Sequence, residues 1–293
     1  MRHLRGCLGL VVVVAVTGIA AQVDYPVFVM DDRGQSIVIE NSPERIVTLN
    51  ALYAQIIVDL RETNRLIAVA ESEDNPASLA NLPTVGSALA PNVEIILGFN
   101  PDLVLGANDW GGERPVLESA GVTVLTTPWL TSVLSIFDAI RAVALALGVQ
   151  AAGDLLVGRI AADLIEAEYV VLGVPKVAAA FLYAASSEDP PYAAGGDAIE
   201  HELILRGGGT NVFAELTWSP QVSYEEILAR DPDVIFTAPS QIGNVMKNPF
   251  LQTVAAIANG RVFGIKASTV SSTQVADALR AIVNGLHPDL SAP

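Results

Sequence analysis

Two successive sets of short β-branched runs, each alternating with segments of helical period, constrain this chain more than any other feature. Ile46–Leu49, Leu66–Ala70, Leu103–Leu105 and Val122–Thr126 read as buried strands, with helices near Ala51–Arg61 and Glu113–Ala120. A second set has strands at Val177–Ala184, Val234–Ala238 and Val262–Ile265, and helices near Ala198–Arg206, Tyr224–Ala229, Pro249–Ala258 and Ser271–Asn284. Apolar strands separated by helices predict parallel sheets wrapped by helices. Between the sets, Ser132–Leu147 and Ala151–Leu172 are rich in Ala, Leu, Ile and Val. In the second of these, Leu155, Leu156, Ile160, Leu164 and Ile165 recur at helical spacing among charged residues, which predicts one connecting helix. With 293 residues, 51% of them hydrophobic, the chain can fill two cores. The expected fold is α/β in two lobes, with an N-terminal lobe over 22–148, a connecting helix over 149–172 and a C-terminal lobe over 173–293. No Gly/Ser/Pro-rich linker joins the lobes, so only small closure on binding is expected.

The first 21 residues read as an address. Arg2 and Arg5 precede the apolar run Leu8–Val16, and Thr17-Gly18-Ile19-Ala20-Ala21 supplies the small residues of a cleavage site. The apolar stretch is shorter than the ~20 residues that cross a bilayer, so a cleaved signal and a periplasmic or extracytoplasmic location are expected. Cys7 is the single cysteine. It precedes the apolar run, whereas a lipid-bearing cysteine follows one, so the chain is expected not to be a lipoprotein. The mature chain is expected to lack disulfides and Cys-ligated metal.

Acidic residues outnumber basic ones 32 to 16, a formal charge of −16 that loss of Arg2 and Arg5 takes two units further, to −18. Such a surface repels nucleic acid and offers no polybasic patch for anionic lipid. A monomer is expected.

An internal echo connects the two sets. Val93–Gly106 aligns without a gap on Tyr224–Thr237, with five of fourteen positions identical. Each copy reads as a short helix with a glutamate near its start, where the helix dipole favours an acid, then Pro-Asp turning into a buried strand. Glu94 and Glu225 form a matched pair of surface acids.

Ligands of parallel sheets bind beyond the carboxyl ends of the strands. Trp110, Trp129, Tyr192 and Trp218 all fall in loops, and such rings facing a common cleft suit a flat, largely apolar ligand. Catalytic motifs are absent: there is no H-E-x-x-H, G-x-S-x-G or P-loop, and Gly207-Gly208-Gly209 follows a helix instead of a strand. His201 reads as a helix-surface residue, and Asp74, Asp109 and Glu188 read as solvated loop acids. Neither a catalytic residue, a metal site nor a resident cofactor is expected.

An ordered set of stretches resembles the binding proteins of metal-chelate ABC importers, which handle cobalamin, haem and iron siderophores. The set is Pro43-Glu-Arg-Ile-Val-Thr-Leu49, Val85-Gly86, Asn92-Val-Glu94, Pro101-Asp-Leu-Val-Leu105, Gly208-Gly-Thr-Asn-Val-Phe213, Val222-Ser-Tyr-Glu225, Asp231-Pro-Asp-Val-Ile235 and Asn259-Gly-Arg-Val262. The resemblance implies two Rossmann-like lobes with central parallel sheets joined by a single long helix, and a ligand cleft between them. It also implies delivery to an ABC permease, with Glu94 and Glu225 at the docking tips. Pro190-Pro191-Tyr192 and Trp218-Ser-Pro-Gln-Val-Ser223 are similar to corrinoid-contacting segments of the cobalamin binder. The first lobe departs from that pattern, because the positions near Ser72 and Ala88 are not aromatic. A corrinoid is the leading expectation, with haem or an iron siderophore as alternatives. For haem, Tyr53 or Tyr192 offers an axial ligand; for an anionic chelate, Arg114 is the nearest cation. A secreted α/β enzyme or a sensor ectodomain remains the alternative of another class.

Overall fold

A computed structural model describes residues 24–106, 112–183 and 189–290. The signal segment, with Cys7, lies outside them.

The first lobe opens with an antiparallel hairpin, β1 (Val27–Met30) and β2 (Ser36–Ile39). Then come β3 (Ile46–Thr48), α1 (Ala51–Asp59), β4 (Leu66–Glu71), a second hairpin of β5 (Thr84–Ser87) and β6 (Ala90–Pro91), and α2 (Val93–Gly98). The lobe closes with β7 (Leu103–Gly106), α3 (Glu113–Ser119), β8 (Thr123–Thr126) and α4 (Val133–Ala146). Its six-stranded sheet has the order β6-β5-β4-β3-β7-β8 and is parallel except at β6. The chain runs outward from β3 to β4 on one side and to β7 on the other, so the loop after β3 sits at a topological switch point.

A 20-residue helix, α5 (Gln150–Tyr169), leads to the second lobe. This contains β9 (Val177–Tyr183), β10 (Tyr192–Ala193), α6 (Ile199–Arg206), β11 (Gly209–Asn211), α7 (Tyr224–Arg230) and β12 (Val234–Thr237). It ends with α8 (Ile242–Lys247), α9 (Ala255–Ala258), β13 (Val262–Gly264), α10 (Ala267–Val270) and α11 (Val275–Leu286). The sheet order is β10-β9-β12-β13, with β11 paired to β9, and only β10 is antiparallel. Among the described residues no helix is long and apolar enough to cross a membrane.

Strand positions follow the sequence reading to within a residue or two. The expected helix Pro249–Ala258 shrinks to α9, because the Asn248 side chain accepts the Phe250 N–H at 2.9 Å and fixes a turn there. The expected Ser271–Asn284 helix starts four residues later, since Ser272 Oγ accepts the Gln274 N–H in another local turn. The β1–β2 hairpin and α8 were not anticipated.

The echo is a structural repeat. Asn92 and Ser223 cap α2 and α7 by accepting the N–H of Ile95 and Glu226. Asn100 and Asp231 both adopt positive φ, 47° and 42°, where each helix ends. Asp102 then accepts the N–H groups of Glu44 and Arg45 while its own N–H donates to the Arg45 carbonyl. Asp233 makes the same two-way clamp with Ala178. The Pro-Asp dipeptides thus fasten β7 to the chain entering β3, and β12 to β9.

One apolar core runs through both lobes. Leu156, Ile160 and Leu164 on α5 belong to the same cluster as Ile46, Leu103 and Ile140 of the first lobe and Phe181, Phe236 and Leu279 of the second. The close approach of α4 and α5 depends on Gly153, where an added Cβ would lie 2.5 Å from Ala144 Cβ. Gly158 on the same helix faces open space. Gly153→Ala is therefore expected to cost about 1–3 kcal/mol by overpacking, against the helix-propensity gain. Gly158→Ala is expected to gain about 0.5–1 kcal/mol. Urea denaturation of the two variants checks these opposite signs.

Candidate ligand-binding cleft

The loops that leave β3 and β8 form the first-lobe wall. Asn50 ends the β3 loop and caps α1, its side chain accepting the Tyr53 N–H at 3.2 Å. Tyr53 is buried, and its hydroxyl accepts the Thr127 N–H at 2.7 Å and lies 2.9 Å from Thr127 Oγ1. This bond ties the start of α1 to the β8 loop. Burial pushes the Tyr53 phenol up, so it stays protonated. Together with Asp32, Leu52, Pro128, Trp129, Leu130 and Ser271, these residues line a cavity of about 260 Å³. Ser271 comes from the second lobe, so the cavity lies between the lobes.

A second cavity of about 190 Å³ shares Asn50, Leu52 and Ser271 with the first. It adds Asp74 and Gln55 from the first lobe and Ser268, Ser272 and Gln274 from the second. Hydrogen bonds cross between the lobes: Ser268 Oγ donates to Asp74 at 2.7 Å and Thr273 Oγ1 to Asp59 at 2.5 Å. The Val133 N–H donates to Glu202 at 2.9 Å. Among the described residues, no Lys, Arg or His lines either cavity.

On the second lobe, β10 lies against β9 with Tyr192 opposite Tyr183. The segment through Pro190–Ala193 runs beside Trp218–Val222: Ala193 N–H donates to the Pro220 carbonyl at 3.0 Å, and Val222 N–H to the Pro191 carbonyl at 2.9 Å. The Trp218 backbone has φ 60°, and its N–H donates to Asp197 at 2.5 Å. Gly195 allows this approach, since a Cβ there would sit 2.6 Å from the Trp218 carbonyl oxygen and 2.3 Å from that of Leu216. The two segments that carried the corrinoid resemblance are therefore neighbours.

The structure brings Tyr53 and Trp129 into one cavity. Tyr192 and Trp218 stand on the other lobe, outside both of these cavities. Trp129 is 55% exposed, Tyr192 44% and Trp218 69%, so all three residues reach the surface. Trp110, Asp109 and Glu188 lie outside the described residues. Glu94 and Glu225 are both exposed, each the second residue of its capped helix. His201 is half-buried on α6 and accepts from Asn211 Nδ2 at 3.4 Å. Among the described residues no cluster of three His, Cys, Asp or Glu is placed to hold a metal.

Two features escaped the sequence reading. Tyr183, at the end of β9, engages the buried Glu200 carboxyl, and burial pushes both groups up. The other is an ion network beneath the first cavity. Arg114 is buried and donates to Asp31 at 2.6 Å, Asp32 at 2.7 Å, Glu118 at 3.0 Å and Thr126 Oγ1 at 2.6 Å. Arg33 joins Asp31 at 2.9 Å and Glu118 at 3.0 Å. The reading of Arg114 as the nearest cation for an anionic ligand is corrected: its donors are used inside the protein. The turn Asp31-Asp32-Arg33-Gly34-Gln35 is the local signal that marks the network.

A model of the periplasmic binding protein family matches residues 46–269. The chain belongs to that family. A substrate-binding lipoprotein of an ABC transporter from Bacillus subtilis is 24% identical over 273 residues, 90% of this chain and 87% of the relative. A cobalamin-binding protein of Halobacterium salinarum is 25% identical over 278 residues, 90% of this chain and 74% of the relative. The haem-binding protein RhuT from Roseiflexus sp. RS-1, in its apo form, superposes with a TM-score of 0.74 at 25% identity. That match covers 83% of this chain and 98% of the other.

These likenesses agree with the expected architecture and with an extracytoplasmic binding protein. They overturn the expectation that the chain is not a lipoprotein, because a relative matched over 90% of this chain is one. That expectation stood only on the place of Cys7 before the apolar run, which carries no such exclusion.

The ion network makes a prediction about the binding protein's stability. Burial opposes the charge on Asp31, but the N–H groups of Gln35 and Arg33 and the two guanidinium groups outweigh it and hold its carboxyl below the ordinary value. Burial likewise opposes Glu118, and Arg33 and Arg114 hold it low. A carboxyl whose pKa falls on folding stabilises above its unfolded pKa and loses that contribution as pH drops through the folded value. Stability should therefore decline below about pH 4. Arg114→Ala should cost about 3–5 kcal/mol at pH 7, by leaving buried carboxylates unpaired, and should flatten that acid decline. Urea midpoints across the pH range read both effects.

Proposed function

We propose that this substrate-binding protein, of the kind that serves ABC importers, captures a corrinoid of the cobalamin class between its lobes. It then presents the cargo to the permease through Glu94 and Glu225. The observation that carries the ligand reading is the character of the cleft. An exposed indole, Trp129, stands over a largely apolar cavity whose charged lining is Asp32, with Asp74 in the adjoining one. A near-neutral corrinoid meets such a wall without penalty, whereas the carboxylates of haem or the phenolate oxygens of a catecholate siderophore meet repulsion with no cation among the described lining residues to offset it. The Halobacterium relative, named for cobalamin, supports the same class. The likeness to RhuT keeps haem as the second reading.

Glu94 and Glu225 suit the docking role because they occupy equivalent places in a repeated unit, one per lobe, and both carboxylates are exposed. Each rim ion pair is worth only about 0–1 kcal/mol, so the pair fixes orientation more than affinity. Among the described residues that line the two cavities, no nucleophile, base and orienting partner come together, and the proposed role is one of binding.

Titration with cyanocobalamin should quench tryptophan fluorescence with a Kd below about 10 μM, corresponding to roughly 7 kcal/mol of binding. Trp129→Ala should weaken this at least about tenfold, the usual loss for a central aromatic anchor. Tighter binding of haemin than of cyanocobalamin would move the assignment to haem. Glu94→Ala combined with Glu225→Ala should leave the Kd unchanged while lowering uptake through the cognate permease in reconstituted vesicles.

A further inference from the structure

The connecting helix α5 has a second apolar face that none of the described residues covers. Leu156, Val157, Ile160, Leu164 and Ala167 are buried against the rest of the molecule. On the opposite side Leu155, Gly158, Ala162, Ile165, Tyr169 and, just past the helix, Leu172 are exposed. Ile165 is 65% exposed and Tyr169 72%. Ala162, Ile165, Glu166, Tyr169 and Val170 frame a groove of about 480 Å³. The six positions alternate by three and four residues, the a and d spacing of a helix seam that packs on another helix.

The charges on α5 point to the occupant. Of its five charged residues, Asp154 pairs with Arg141 at 3.2 Å, Asp163 with Arg280 at 3.8 Å, and Glu168 with Arg206. Arg159 and Glu166 are exposed and make no ion pair among the described residues. They are opposite in sign and seven residues apart, about 10 Å along the axis, too far to meet each other on one helix. Both occupy the e position of the heptad frame, which in an antiparallel helix pair faces e of the partner.

We propose that a second copy of this chain docks on the exposed face of α5, antiparallel and about a two-fold axis near Ala162–Ile165. In that register large side chains meet small ones. Ala162 lies against the partner's Ile165, Gly158 against the partner's Tyr169, and Leu155 against the partner's Leu172. Arg159 meets the partner's Glu166, and the symmetry makes that pair twice. A two-fold interface must be complementary to itself, and this stripe is so in size and in charge. The contact uses no residue of the cleft or of the two proposed docking tips, so it is independent of the ligand reading.

Sedimentation velocity of the mature protein tests this at physiological ionic strength, where the Debye length of about 8 Å screens the overall acidic repulsion. Between about 1 and 200 μM, the range in which a modest interface dissociates, the protein should shift from monomer to dimer. Ile165→Lys should remain monomeric throughout. Arg159→Glu alone and Glu166→Arg alone should each weaken dimerisation about tenfold, by setting like charges against each other. The double variant should restore it to within about threefold, because it exchanges the signs and keeps the pairing. All three substitutions are at exposed positions, and circular dichroism checks that each variant folds. A wild-type protein that stays monomeric overturns the proposal, as does a dimer indifferent to Ile165→Lys or a double variant that fails to recover. A monomer that instead sediments with phosphatidylcholine vesicles, and loses that property with Ile165→Lys, gives the face to a lipid surface and equally overturns it.

Discussion

The apolar seam between α4, α5 and α11 is the constraint on which the rest of this protein depends. Each lobe has its own sheet, yet the core does not stop at the lobe boundary; it passes through the buried face of α5. Each buried Leu or Ile contributes about 1.5–3 kcal/mol, so opening this seam would expose far more apolar surface than a binding event repays. The lobes are therefore expected to keep a nearly fixed separation, with the cleft formed before any ligand arrives. Polar bridges from Asp59, Asp74 and Glu202 then set the fine alignment across that gap. Preformed walls lower the entropy cost of capture, at the expense of adaptability to ligands of different shape.

Within that frame the chain uses one device twice. A capped short helix, a left-handed residue at its end and a Pro-Asp clamp appear in both lobes at corresponding positions. Each element answers a local backbone need: orphan N–H groups at a helix start, a reversal that few residues tolerate, and a strand entry whose donors want a carboxylate. Those needs restrict residue choice, which is why the repeat was visible in fourteen aligned residues. Glu94 and Glu225 answer no such need beyond the helix dipole.

What the sequence made legible follows the same logic. Ile46–Leu49, Leu103–Leu105 and Val234–Ala238 could be placed because a buried parallel strand is apolar on both faces. Pro249–Ala258 was misjudged because an Asn248 turn outcompeted the helix pattern downstream of it. The β1–β2 hairpin was overlooked, and with it the acids that claim Arg114. No periodicity reports a salt bridge between residues more than eighty positions apart. The sequence reading offered Tyr53 as an axial ligand for haem, whereas its hydroxyl is committed to Thr127. The neighbourhood of Pro190–Tyr192 and Trp218–Val222 depends on β10 joining the edge of the second sheet, a pairing that the two residues of β10 do not announce by themselves.

The fate of the arginines links stability to selectivity. Arg33 and Arg114 hold the first lobe's hairpin, Arg206 joins α6 to α5, and Arg230 is bound to Glu215 and Glu226 while lying 4.7 Å over the Phe213 ring. In a chain with half as many bases as acids, each guanidinium used to brace the fold is one fewer to face the cleft. The acids left on the walls then raise the cost of any guest that brings carboxylates, and that cost grows as water is expelled and the local dielectric falls. Under the proposed function, a cleft built this way would discriminate first by repulsion and then by ring contact. That order would favour a large neutral chelate over a smaller anionic one even where their apolar areas are similar.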